Sequence, residues 1–189
     1  TPSKTEAVFI CSIGWFIIIL FGAIPYWLKL ELSFINGLFE SANGFTTTGM
    51  TILRNISLLD KSILLWRSVT QWIGGLGILT FFLAVVSIGG GSHNLFGAES
   101  HKIDSGRPVP GLFNTVKILW LIYGAFTLFI LISLKIMGLS FFDSLCHSLT
   151  TISTGGYSTY DASIEYFNAA GYRNFIFIEY IIIFGMFLG

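Results

Sequence analysis

Two stretches of the sequence, Ser33–Thr51 (SFINGLFESANGFTTTGMT) and Ser140–Ser158 (SFFDSLCHSLTTISTGGYS), align without a gap at an offset of 107. Phe34 falls on Phe141, Leu38 on Leu145, Ser41 on Ser148, Thr47 on Thr154 and Gly49 on Gly156. Each stretch opens with a short apolar run, Phe34–Phe45 or Phe141–Ile152. A helix needs roughly 20 residues to cross a bilayer, and runs of about 10–14 fit re-entrant or interfacial segments. Ser33 and Ser140 stand where a helix N-cap belongs. The Thr/Ser/Gly cluster after each run is where a helix stops. Two short helices are therefore predicted, each ending in a polar, glycine-bearing loop.

Working outward, four longer apolar stretches flank these runs: Ala7–Leu28, Ser62–Ser87, Val116–Met137 and Asn174–Gly189. Arg67 alone interrupts the second; Lys117 and Lys135 lie near the ends of the third, where long cationic stems can snorkel. Of 189 residues, 53% are hydrophobic and 11% charged, against roughly 25% charged in a soluble domain. Ten Lys+Arg balance ten Asp+Glu, for a formal net charge of zero. That balance speaks against nucleic acid as the main partner, because phosphate binding needs a basic surplus. The composition also excludes disorder. The expected fold is an all-α integral membrane protein with four spans in the bilayer, ordered span, short helix, loop, span, twice over. Residues 1–91 form the first unit, 92–110 a hydrophilic link expected in the cytoplasm, and 111–189 the second. Thr1 at one end and an apolar run still open at Gly189 suggest a segment of a longer protein, with the last span cut short. Lys and Arg counts on the two sides do not orient the chain. Cys11 and Cys146 sit in apolar stretches and read as buried, inert thiols.

Beyond Thr51 and Ser158 the repeat continues if one residue is inserted, which puts Gln71 on Glu179 and Gly77 on Gly185. Parallel tandem units are related by an axis along the membrane normal, which brings equivalent loops together around one path. Non-helical backbone at membrane depth is tolerated only where protein buries it or where it lines a watery path. An extended Thr-Thr-Gly stretch can aim successive carbonyl oxygens at one axis and replace the water shell of a cation. The C-terminal end of each short helix lies at its loop, and its partial negative charge favours a cation there. No acidic cluster lines either loop, so selection by a carboxylate ring is not indicated. A Thr/Gly turn merely joining two helices is the simpler reading of one loop, but two matched copies weigh against it.

The segment order, the loops SANGFTTTGMT (Ser41–Thr51) and LTTISTGGYSTYDASI (Leu149–Ile164), and WRSVTQWIGGLGI (Trp66–Ile78) resemble the Trk/Ktr/HKT superfamily of potassium transporters, nearest its bacterial TrkH branch. The resemblance implies a pseudo-fourfold, potassium-channel-like pore of four span–pore helix–span repeats, of which two are present, and no enzymatic activity. Carried over to this sequence, Thr47, Thr48 and Gly49 match the first repeat's selectivity filter and Thr154, Gly155 and Gly156 the second's. Potassium would be held at Thr47, Thr48, Thr154 and Gly155. Glycine at the filter position accompanies potassium selectivity in the family, and serine in the first repeat accompanies sodium transport in some plant members. The resemblance further implies potassium uptake across the bacterial inner membrane, with coupling to sodium or protons left open. A homodimer and a cytoplasmic, TrkA-like nucleotide-binding regulatory subunit are its implied partners. No cofactor is expected in the chain itself; NAD or ATP would belong to that subunit.

Several other residues invite attention. Arg67, a charge inside a span, is expected to be paired, and Glu40 is the nearest partner, bracing the first loop from behind; snorkelling to the interface is the alternative. Glu179 is either buried in its span or facing a neighbouring repeat. Gly74, Gly75 and Gly77 have small-residue spacing that suits close helix packing, with a gating hinge as the other reading. Gly89–Gly91 lacks the context of a phosphate loop and reads as a helix terminus. His147 is expected to make a polar contact to the second loop's support, and His93 and His101 lie in the link with no second ligand. Asp143, Asp161 and Glu165 read as solvated, or as weak negative potential at a pore entrance. A membrane enzyme would have to use Glu179, His147 and Arg67, which share no motif; a scaffold with purely structural loops is the third class.

Overall fold

The computed structural model describes residues 4–88 and 111–189. The expected link 92–110, with His93 and His101, and the expected terminus at Gly89–Gly91 lie outside them. All regular elements among the described residues are helical: α1 (Lys4–Gly22), α2 (Ile24–Leu30), α3 (Phe34–Phe45), α4 (Lys61–Ile88), α5 (Gly111–Ile136), α6 (Phe141–Ile152), α7 (Glu165–Ala169) and α8 (Phe175–Leu188), with a 3-10 turn at Ile56–Leu58.

The two short helices have the expected limits for the expected reason. Ser33 Oγ accepts from the Asn36 N–H at 3.3 Å and Ser140 Oγ from the Asp143 N–H at 3.0 Å, each closing a first turn. Their C-termini also match bond for bond. Thr46, Thr47 and Thr48 donate to Ala42, Gly44 and Asn43; Ser153, Thr154 and Gly155 donate to Leu149, Thr151 and Thr150. A six-to-one bond of this kind, closed by a left-handed residue, is a Schellman cap, and glycine usually fills the left-handed place. Here threonine does so twice, at Thr47 (φ 53°) and Thr154 (φ 52°).

The first span runs through Val8–Leu30 as expected, with one local irregularity at Ala23. Pro25 has no N–H to donate, and the helix breaks between Gly22 and Ile24. The Trp66 indole N–H donates to the Gly22 carbonyl at 3.1 Å, so α4 serves a backbone acceptor beside the break. The third span, without proline, runs as a single 26-residue helix.

The register of the second spans departs from the expectation. A side chain at Gly74 would strike the Phe45 carbonyl, and one at Gly189 the Ile152 carbonyl; Gly44 lies against Thr70, and Gly185 against Thr151. Phe45 and Ile152 are repeat partners, as are Gly44 and Thr151, so these helices correspond at an offset of 115, not 108. Gln71 therefore matches Met186, Trp72 matches Phe187, and Glu179 matches Leu64. The two registers differ by seven residues, about two turns at 3.6 residues each. Both put the same residues on the same face, which is why hydrophobic pattern alone does not separate them. The extra residues form α7, where Phe167 packs into a core with Ile130, Leu134, Leu139, Ile178 and Ile182.

Burial is inverted relative to a water-soluble fold. Glu40, Arg67, Gln71 and His147 are buried, while Phe9, Phe16, Phe21, Leu121 and Phe129 point outward. Buried ionisable groups inside an apolar jacket fit a lipid surround. Val8–Leu30 and Asn114–Ile136 are long and apolar enough to cross a bilayer.

Candidate functional site: the paired glycine loops

Each loop leaves its Schellman cap with the sign of φ alternating. Thr47 is left-handed, Thr48 is not, and Gly49 is again (φ 76°); Thr154, Gly155 and Gly156 (φ 81°) repeat the pattern. Left-handed backbone costs a non-glycine residue roughly 1–2 kcal/mol, and such strain persists where surrounding structure enforces it. Among the described residues no hydrogen bond is donated to the carbonyls of Thr47, Thr48, Gly49, Thr154 or Gly156. The Gly155 carbonyl differs: it accepts from Gln71 Nε2 at 2.7 Å. Gln71 Oε1 accepts in turn from the Tyr157 N–H at 3.2 Å, so one amide from α4 clips the second loop on both sides. A Cβ at Gly49 would collide with that same Gly155 oxygen. The two loops thus meet backbone to backbone.

Behind the first loop, Glu40 on α3 holds the chain that returns from it. Its Oε1 accepts from Thr51 Oγ1 at 2.8 Å and from the Ile52 N–H at 2.6 Å. Arg67 Nε lies 3.9 Å from Glu40 Oε2, and the two side chains are 1% and 0% exposed. Arg67 is thus paired, as expected, and does not snorkel. Its guanidinium also sits 4.2 Å from the ring centre of Tyr157, a contact strengthened when water is excluded. The Tyr157 hydroxyl donates to the Met50 carbonyl at 3.2 Å. Glu40, Arg67 and Tyr157 therefore tie the second loop to the back of the first.

Behind the second loop the chemistry changes. His147, the repeat partner of Glu40, has Nε2 3.5 Å from Thr159 Oγ1. Asp143 carries the return chain: Oδ1 accepts from Thr159 Oγ1 at 2.8 Å, and Oδ2 from Ser140 Oγ at 2.6 Å and the Tyr160 hydroxyl at 3.3 Å. The reading of Asp143 as solvated is thereby corrected. It is 6% exposed, and three hydroxyl donors offset the cost of removing it from water. Asp161 is likewise engaged, accepting from the Ile56 N–H at 2.8 Å and from the Ser57 N–H and hydroxyl at 3.2 and 2.9 Å. The Ile56 N–H above all holds its carboxyl below the usual range. Glu165 accepts from Asn168 on the surface.

The remaining candidates resolve simply. Gly74 and Gly75 are packing positions, against Phe45 and against Tyr123 and Ser153. Cys146 is buried, but Cys11 is only half-buried on α1. Glu179 is exposed on α8. The sequence reading missed the part played by Tyr157, and it noted Gln71 only as a hydrogen-bonding position. An amide amid an apolar span was the available signal for Gln71; Tyr157 carried none beyond its place in the loop.

Helices with an apolar exterior, enclosing charged residues that brace two matched cation-compatible loops, define a membrane protein of the transport class. Residues 4–189 match the model of the family TrkH, cation transport protein, and the chain belongs to that family. It is a multi-pass membrane protein. It is 36% identical over 169 residues to the Trk system potassium uptake protein TrkH of Halomonas elongata, covering 87% of this chain and 35% of that protein. It is 35% identical over 158 residues to the Trk system potassium uptake protein TrkG of Escherichia coli, covering 82% and 33%. The crystal structure of the potassium transporter TrkH from Vibrio parahaemolyticus superposes with a TM-score of 0.74 at 27% identity, over 97% of this chain and 35% of that one. The chain thus spans about a third of the length of these relatives.

Proposed function

We propose that this chain supplies half of a potassium-conducting pore, its two units being residues 1–91 and 111–189. The observation that carries the reading is the matched pair of loops whose φ signs alternate and whose carbonyls, that of Gly155 apart, accept no hydrogen bond among the described residues. Such oxygens are free to replace the hydration shell of an alkali cation, and the negative ends of α3 and α6 bias the place toward positive charge. Potassium is held by carbonyls of Thr47, Thr48 and Thr154. Gly155, whose oxygen is engaged by Gln71, serves by allowing the close approach of Gln71 and Gly49. Gly49 and Gly156 supply the left-handed turns, and Glu40 and Arg67 support the filter from behind.

The chain acts by transport, with no catalytic chemistry of its own, as part of a potassium uptake protein of the bacterial inner membrane. In that protein it works within a homodimer gated by a cytoplasmic nucleotide-binding subunit of the TrkA kind, to which NAD or ATP belongs. The names of the relatives, Trk system potassium uptake proteins, support the potassium-uptake part of this reading. The test is potassium uptake by the full-length polypeptide in cells lacking their own potassium systems, with sodium as competitor. Gly49→Ser places a side chain at φ 76° against the Gly155 carbonyl, and should reduce potassium-over-sodium discrimination at equal protein level. Unchanged selectivity would remove Gly49 from the filter.

A further inference from the structure

The junction of α2, α3 and α4, behind the first loop, holds buried polar atoms that no described residue satisfies. Glu40 spends Oε1 on Thr51 and Ile52, but its Oε2 accepts no hydrogen bond among the described residues. Arg67 Nε faces that oxygen at 3.9 Å, beyond the reach of a direct bond. Neither Nε nor Nη1 donates to any described residue. The third member is Tyr26, one residue past Pro25 on α2 and fully buried. Its hydroxyl comes near Thr70, Arg67 and Glu40, yet it closes no hydrogen bond, and Thr70 gives its own hydrogen to the Arg67 carbonyl. Buried polar groups are rarely left unmet in a folded interior.

The same place in the second unit is filled by hydrocarbon. At the offset set by the glycine contacts Arg67 corresponds to Ile182, which packs with Phe167 in the apolar core. Phe167 also lies edge-on to His147, the counterpart of Glu40, at 5.5 Å. Ser133, which matches Tyr26 at the offset of 107, spends its hydroxyl on the Phe129 carbonyl. The extra residues that carry Phe167 have no counterpart in the first unit, so the filling that dries the second place is missing from the first.

We propose that this junction is a binding site for structural water, which accepts from Arg67 Nε and Nη1, donates to Glu40 Oε2 and pairs with the Tyr26 hydroxyl. The polar inventory selects the ligand. The guanidinium and the phenol bring more hydrogens than one carboxylate oxygen accepts, so the occupant must offer lone pairs as well as a hydrogen. The charges of Glu40 and Arg67 already cancel, so an ion would leave net charge buried. Water meets both demands, and a buried water typically makes about three hydrogen bonds. Two bonds of about 2.8 Å meeting at one oxygen bridge a gap like that between Nε and Oε2. Because Glu40 carries the chain that returns from the first loop, Tyr26 is a positioning residue for that loop, acting on it through water.

The site does not depend on ion conduction and is tested without it. In the full-length polypeptide in nanodiscs, Tyr26→Phe removes the hydroxyl and keeps the ring. A dry, unpartnered hydroxyl predicts a gain in melting temperature, since a buried group without a partner is removed. A water-linked hydroxyl predicts a loss of about 2 °C, and an unchanged or higher melting temperature overturns the proposal. In the Arg67→Met/Glu40→Gln background the loss should shrink; an equal loss would mean that Tyr26 acts through Thr70 alone, and overturns it too. Amide exchange at Ile52, whose N–H Glu40 accepts, should quicken several-fold in Tyr26→Phe while that of Tyr157 stays as in wild type. No change at Ile52 removes the positioning role. A high-resolution map of the full-length protein should show a peak within hydrogen-bond distance of both Arg67 Nε and Glu40 Oε2. Direct closure of the two side chains with no peak between them, or an anomalous peak there after exchange into bromide, overturns water as the occupant.

Discussion

Thr47–Gly49 and Thr154–Gly156 carry the same backbone bonds and the same left-handed residues, yet different chemistry stands behind them. The first loop's return chain hangs on Glu40, which is balanced by the buried cation Arg67. The second hangs on Asp143, which is satisfied by hydroxyls, among them the Thr159 hydroxyl that also lies beside His147. Backbone geometry is thus shared between the units while the means of enforcing it has diverged. The same lesson holds for the clip: Gln71 grips the second loop from the first unit, whereas its counterpart Met186 offers no hydrogen bond to a neighbour.

The largest effect should come from breaking the charged support. Arg67→Met leaves Glu40 buried and unpaired, and removing one partner of a buried pair costs about 3–5 kcal/mol. Chemical unfolding should register a loss of that order, and Glu40→Gln in the same chain should restore much of it. Purely additive losses would mean that the two groups do not act together and that the first loop is held by the Thr51 and Ile52 bonds alone.

Next in size is the clip. Gln71→Leu strands the Gly155 carbonyl and the Tyr157 N–H in a buried place, at about 1–3 kcal/mol. Potassium-over-sodium competition should weaken along with stability, because the second loop loses the contact that aims it. Gln71→Glu retains an acceptor for Tyr157 but loses the donor to Gly155, so it should fall between leucine and wild type. Equal losses in the two variants would show that the Tyr157 bond contributes nothing and that the donation to Gly155 alone matters.

The smallest effect concerns Asp161, which joins the units outside the spans. Its carboxyl is held below the ordinary value of 3.8, so its contribution is complete above that pH and is lost as pH falls through the lower value of the folded protein. Melting temperature followed from pH 6 downward should drop less steeply in Asp161→Asn than in wild type. Parallel curves would place the acid sensitivity elsewhere.

The short helices were legible to the residue because their stop and start signals are local: a serine at one end and a glycine-bearing polar cluster at the other. The Glu40–Arg67 pair was legible because a lone charge in a span demands a partner. The register of α8 was not, since a shift of two turns leaves the apolar face unchanged and only contacts in depth distinguish it. The burial of Asp143 was hidden for a related reason. Its donors, Thr159 and Tyr160, lie on the far side of the loop, and nothing in the sequence announces that the chain folds back over the start of α6.

The contact between Gly49 and the Gly155 carbonyl has a consequence for drift. Where two loops are spaced by main chain touching main chain, neighbouring side chains can be exchanged over generations without altering the gap. Thr48 and Gly155 already differ at matching places. The spacing of the two loops is then inherited through two glycines and one amide.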